Sequence, residues 1–426
     1  MGAAYCLTAV FRMVLLQNRV FFFYEYEKAS QGGAGMRQSE KKGGFFFAYI
    51  LAGAIYLLFV SGGVFPYVQG DLVKSLVKGL ALAVVVFHFL IARLRHADLD
   101  PLSKFFFFGL TIGVWGMIRT ENFGFALEKI DGAVVCSIFM AVLLHHGYRR
   151  YGELDFQSRL LTVSFFILIF TLIYKTIFGF FDREVRFFLN GPIVYGWIMG
   201  FCSLLSFHVW NERRRLVYLA AFAIFFMALV WTESKGAILA FLIGLAIYCV
   251  LRFHRKYKLL IALVIGGIVF YFTLADQLVE LLEDSRLSAI LRIVGGELNQ
   301  SDEGSVGSRV VLIDKAMQDF SSHIFMGIGL ANYSFNEFVY PHNQHLEIFA
   351  EMGVVVGFIH VIFVLLSFWR ANILNKALIV FFGVAASFSG DVSYLRFLYA
   401  FCLVGFMPSM GAQIKERLVL SERTIG

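Results

Sequence analysis

The chain has 426 residues, of which 59% are hydrophobic and only 16% charged, with 50 phenylalanines against 5 prolines. A soluble domain holds roughly 45–50% apolar and about 25% charged residues. A core of this size cannot hide so much apolar surface, and the mean hydropathy of +0.74 makes lipid the expected solvent. That excludes disorder, collagen and disulfide scaffolds, and the net charge of +7 falls in short basic clusters between apolar runs, so no nucleic-acid partner is needed to explain it.

The five cysteines (Cys6, Cys136, Cys202, Cys249 and Cys402) all lie inside apolar runs, without pairing or metal-ligand spacing. Residues 3–23 are apolar but carry Arg12 and Arg19 and lack a small-residue cleavage site. They read as an interfacial helix or an upstream start, since Met36 opens a basic leader through Lys41 and Lys42.

A spanning helix needs about 20 mostly apolar residues. By that measure spans are expected near 45–65, 75–93, 105–118, 131–147, 160–180, 191–209, 216–231, 237–251, 259–275, 353–369, 377–389 and 394–411. The expected fold is an all-α polytopic membrane protein of about twelve helices by this window. With Lys41 and Lys42 in the cytoplasm, the clusters Arg93/Arg95, Arg149/Arg150, Arg213–Arg215 and Arg252–Lys258 all fall inside, as does the tail with Lys415, Arg417 and Arg423.

One long hydrophilic stretch, about 276–345, carries a net charge of −6 and falls on the non-cytoplasmic side. Loops of this length are functional or disordered. The spacing of Val310, Ile313, Met317 and Phe320 predicts an amphipathic helix, and therefore order. The domain expectation is an amino-terminal cytoplasmic or interfacial segment 1–44, spans over 45–275, a periplasmic loop domain 276–352, spans over 353–411 and a cytoplasmic tail 412–426.

Chemistry concentrates on the outer side. Tyr340-Pro341-His342-Asn343-Gln344-His345 closes the acidic loop, and Pro341 suits the first turn of a helix running through Glu351 and Gly353 into the next span. His342 then sits at the membrane mouth, as a base for a hydroxyl nucleophile or as an interfacial histidine bonded to a loop carbonyl. His342 and His345 share a helix face with Glu351 beyond, but zinc sites favour another close ligand and i, i+4 spacing, so no metal is expected. Thr232-Glu233-Ser234-Lys235-Gly236 is a tight outer turn whose lysine either snorkels or binds an anion. Arg309, after Ser308 at the expected helix start, favours an anion, and Arg183 and Arg186 add charge before Asn190-Gly191-Pro192. Several cations around one histidine, on the face where few are expected, suggest a diphosphate substrate.

At these residues the chain resembles the O-antigen ligase and polymerase superfamily, over roughly 185 to 360. His342-Asn343, nine residues and Gly353 fit the ligase motif; its last small or tyrosine position falls on Val356, with Gly357 one residue later. The Ser-Arg-Gly turn of the family appears as Ser234-Lys235-Gly236, which keeps the cation but loses the bidentate fork. Ser308-Arg309 and then Met326-Gly327-Ile328-Gly329 resemble the arginine helix and the Gly-x-Gly turn after it.

The resemblance implies a membrane-embedded, inverting glycosyltransferase that uses no metal and no cofactor. It would act at the periplasmic face of the bacterial inner membrane in lipopolysaccharide biosynthesis, moving a glycan from undecaprenyl diphosphate to a sugar hydroxyl of lipid A–core. His342 would be the base. Lys235 and Arg309 would neutralise the leaving group, and Arg183, Arg186, Asn343 and His345 would contact substrate. The nearest rival is the polymerase of the same superfamily, joining lipid-linked repeats. From another class, a twelve-span secondary transporter fits the composition, although its ionisable residues would sit nearer the midplane.

Overall fold

The computed structural model describes residues 37–61, 105, 108–109, 112–180, 187, 191–253, 305–337 and 340–407. The expected spans 75–93 and 259–275 lie outside the described residues, as do residues 1–35 and the tail 412–426. The chain divides into two compact units, Met1–Ala48 and Tyr49–Gly426. The described residues of the first are the start of one helix, and everything below concerns the second.

The described residues hold no strand. In chain order the helices are α1 (Arg37–Ser61), α2 (Phe123–Ile130), α3 (Cys136–Tyr151), α4 (Glu153–Phe178), α5 (Pro192–Arg213), α6 (Leu216–Trp231), α7 (Lys235–Phe253), α8 (Ser305–Ser322), α9 (Asn332–Glu337), α10 (Gln344–Arg370), α11 (Ile373–Ala386) and α12 (Arg396–Phe406). A π-helical turn, Asp131–Val135, joins α2 to α3, and a 3₁₀ turn, Val392–Leu395, leads into α12. Among the described residues α4, α5, α7 and α10 are long and apolar enough to cross a membrane, with shorter apolar helices between them. Among the described residues the structure is all-helical, consistent with a membrane protein.

Helix starts follow local chemistry. Pro192 opens α5, where its missing N–H costs nothing. Asn122, Asn343 and Asn372 cap α2, α10 and α11, each side chain accepting the backbone N–H three residues on. In lipid the apolar effect does not drive helices together, so close packing has to. The phenylalanine-rich composition supplies it. Phe59, Phe201, Phe382, Phe397 and Phe401 interlock where α1, α5, α11 and α12 meet, with Phe59–Phe397 centroids 4.7 Å apart and Phe382–Phe401 5.4 Å.

Side-chain bonds between helix termini mark two ends of the bundle. At one end Arg213 pairs with Asp155, Arg252 with Glu212 at 2.6 Å, and Asn372 donates to Glu153 at 3.3 Å. Arg149 and Arg150 close α3 at this same basic end.

The other end is built from backbone. Trp231 Nε1 donates to Phe180 O at 3.2 Å. Arg119 donates to Gly327 O at 3.1 Å, and Asn332 donates to Arg119 O while accepting from Glu121 N. The helix expected within the acidic loop is present as α8. Its buried face is Leu312, Ala316 and Phe320, packed under Tyr333 and Ala350, whereas Met317 of the expected stripe is exposed.

α10 departs from the expected continuous helix. It starts at Gln344 because Asn343 is the cap, and Pro341 stays outside it. It breaks at Gly353, whose φ of +77° favours glycine and whose missing Cβ leaves room for the Phe325 carbonyl. Across the break Ile328 N bonds Ala350 O, Gly329 N bonds Glu351 O, and Val354 N bonds Ile324 O. The nine-residue spacing from Asn343 to Gly353 is thus the length of one short helix from cap to break. Gly353→Ala should lower stability by at least about 1 kcal/mol from the positive φ alone, read as a fall in the thermal midpoint of the purified protein.

Candidate active site

At the end of the bundle opposite the basic clusters, α11 stops at Ala386 and the chain turns through Phe388, Ser389, Gly390 and Asp391 into the 3₁₀ turn. The Asp391 side chain accepts from Ser393 N at 2.9 Å and fixes that turn. Other elements bond its backbone. Gln344 donates to Ser389 O at 2.7 Å, and Glu347 accepts from Val392 N at 3.1 Å. Arg309 donates a long 3.4 Å bond to Phe388 O. A Cβ on Gly236 would fall 2.6 Å from Phe388 Cβ, so a glycine beside Lys235 is what lets the start of α7 reach the same turn.

His342 lies one residue before the Asn343 cap. Its φ of +57° puts it in the left-handed region, which a non-glycine residue occupies only when its surroundings hold it there. The ring is half-buried, edge-on to Tyr340 with centroids 4.5 Å apart, and its buried Nδ1 has no hydrogen-bond partner. Burial, and then the nearby Arg309 charge, push the imidazole down from 6.5 to about 4. At neutral pH it is therefore uncharged. Burial raises the Tyr340 phenol to about 12, Arg309 opposing, so its proton stays on. Arg309 sits on the buried face of α8, one turn before Leu312, and burial lowers it without discharging a guanidinium.

Beneath the turn lies a buried ion network. Lys129 of α2 pairs with Glu347 and bonds both oxygens of Glu351 at 2.8 and 3.0 Å, all three side chains being at most 2% exposed. Removing one partner from such a pair typically costs roughly 3–5 kcal/mol, so these groups move as a unit or not at all.

His345 turns the other way. Its Nε2 meets Gly383 O at 2.9 Å, its Nδ1 meets His360 Nε2 at 2.8 Å, and His360 Nδ1 meets the Tyr399 hydroxyl at 2.7 Å. A carbonyl only accepts, so with neutral rings His345 Nε2 donates to it, His360 Nε2 donates to His345, and Tyr399 donates to His360. Both nitrogens of His345 are used inside the bundle, and it shares no helix face with His342.

Residues 220–362 match the family described as O-antigen ligase. About a third of the chain is therefore similar to this family. This supports its membership of the O-antigen ligase/polymerase family, whose members are membrane glycosyltransferase-like enzymes. No curated protein matches the chain.

The matched residues include Lys235, Arg309, His342, Asn343 and His345. Of these the structure brings His342 and Arg309 together, and sets the Lys235–Gly236 corner against the Phe388 turn that Arg309 also contacts. Asn343 is a helix cap and His345 belongs to the inner histidine chain. Arg183 and Arg186 lie outside both the matched residues and the described ones. Phe187, next to them, is buried against Trp231 and Tyr195.

Sequence reasoning gave no role to Tyr340, Lys129 or Glu347, nor to the turn at 388–392, and Lys129 and that turn lie outside the matched residues. The available signal was two carboxylates one helical turn apart, at 347 and 351. Arg309→Gln should raise the protonation midpoint of His342 above about 4, by removing a like charge, yet leave it below 6.5 because burial remains. Histidine-selective NMR titration in detergent reads this directly.

Proposed function

We propose that the protein transfers a glycan from undecaprenyl diphosphate to a sugar hydroxyl of lipid A–core, as an inverting O-antigen ligase. The observation that carries the reading is an uncharged His342, its Nδ1 unbonded, held beside the Arg309 cation at the end of the bundle away from the basic clusters. By the positive-inside rule that end faces the periplasm, in a bacterial inner-membrane protein of about twelve spans.

In the step proposed, the acceptor oxygen forms a bond to the anomeric carbon of the donor sugar. The bond from that carbon to the diphosphate oxygen breaks, and its electron pair leaves with undecaprenyl diphosphate. The hydroxyl proton passes to His342. Arg309 and Lys235 neutralise the charge gathering on the leaving group, so no acid is needed to protonate it. Arg183 and Arg186 would extend the same anion site. Asn343 and His345, read from the sequence as substrate contacts, serve instead as the cap and the inner brace of the helix that carries the base.

A histidine with a midpoint of about 4 is a weak base for a hydroxyl, and the donor corrects this. A diphosphate bound at Arg309 places negative charge beside the imidazole and stabilises its protonated form. Base strength therefore arrives with the substrate, and a resting enzyme is not titrated at neutral pH.

The test is transfer by purified protein in nanodiscs, from lipid-linked glycan to core lipopolysaccharide. His342→Ala should lower kcat by roughly 10²–10⁴-fold. For the wild type, kcat/KM for the donor should be flat from alkaline pH downward and fall only near pH 4. Because only the deprotonated ring accepts the proton, and the bound donor raises its pKa, kcat should begin to fall at a higher pH than kcat/KM. Full activity in His342→Ala would remove the base assignment. In the host, deletion should leave lipid A–core uncapped and lipid-linked glycan accumulated, whereas cores bearing single repeats would mark a polymerase.

A further inference from the structure

The transfer chemistry makes no direct use of Lys129, Glu347 and Glu351, yet these are among the most deeply buried charges in the described residues. Their placement gives them a purpose. Glu347 and Glu351 stand one turn apart on the short first half of α10, between the Asn343 cap and the Gly353 break. Lys129 reaches both from α2. The same Glu347 carboxylate accepts the Val392 N–H, and Gln344, one turn earlier, bonds Ser389 O. One ammonium therefore holds a helix whose cap adjoins His342, and through that helix it holds the turn whose Phe388 carbonyl receives Arg309.

We propose that Lys129 is a positioning residue for His342: by pinning Glu347 and Glu351 it locks the first half of α10 against the Phe388–Val392 turn, and so keeps His342 buried beside Arg309. This inference rests on the role proposed for His342, but its structural half stands apart from the reaction. If Lys129 lets go, the buried carboxylates repel one another and draw in water, the turn loosens, and the imidazole regains solvent. A displacement of about 1 Å between base and acceptor is enough to cost roughly 100-fold in rate. The charged groups facing His342 are Arg309 from α8 and, around its neighbour Tyr340, Asp391 and Glu347.

The experiment uses the full chain in nanodiscs and two readouts. One is the pH midpoint for modification of His342 by diethyl pyrocarbonate, followed by mass spectrometry of its peptide. The other is transfer, split into kcat and donor KM. In Lys129→Met the midpoint should move from about 4 toward 6.5, and kcat should fall roughly 100-fold with donor KM little changed. Lys129→Arg, which restores the cation, should return most of both. If Lys129→Met yields no folded protein, the double exchange Lys129→Gln/Glu351→Gln removes the cation and one of its two carboxylates together, and should give the same shifts.

A folded Lys129→Met or double variant with the wild-type midpoint overturns the proposal, whatever its activity. A shifted midpoint together with a wild type that transfers no glycan would sink the function and leave the positioning intact.

Discussion

The site depends on one constraint: where a chain turns back inside the end of a helical bundle, its buried polar backbone groups must find partners within the protein. Between α11 and α12 those groups are the carbonyls of Phe388 and Ser389 and the N–H of Val392. They are met from two parts of the chain, by Arg309 of α8 and by Gln344 and Glu347 of α10. Satisfying this turn gathers the loop helix and the start of α10 at one point. Gly236 brings the start of α7 there by leaving out a side chain. Fold and site are consequences of the same bonding requirement.

That requirement also shapes the electrostatics. Beneath the turn, Lys129 faces two buried carboxylates; above it, Arg309 faces an uncharged imidazole. The lower layer is buried and paired. The upper layer holds the Arg309 guanidinium, bonded to a backbone carbonyl, which suits an anionic donor. The two layers meet at Glu347, and chemistry above draws its geometry from the pairs below.

Much of the fold could be read from the chain because lipid imposes a simple rule on composition. Apolar runs marked the helices, basic clusters marked one end, and the apolar spacing of the acidic loop marked α8. The motif histidine, the arginine and the glycine at 353 were legible as residues, but their mechanical parts were not. Gly353 reads as a motif letter, and only the Phe325 carbonyl beside it explains why nothing larger fits. His345 reads as a second site histidine by its nearness to His342, yet the helix begins between them and sends it inward to His360. Lys129 and Glu347 lie far apart in sequence, and no local pattern pairs them; burial gives that pair its meaning, and burial is a property of the folded chain.

The most direct test of this account is a structure determined with undecaprenyl diphosphate bound. The account predicts phosphate oxygens within hydrogen-bond distance of Arg309 and Lys235, with the His342 ring still edge-on to Tyr340 and its Nδ1 left for an acceptor hydroxyl. A diphosphate seated instead at the opposite end, among Arg213 and Arg252, with Arg309 making no contact to it, would contradict the account.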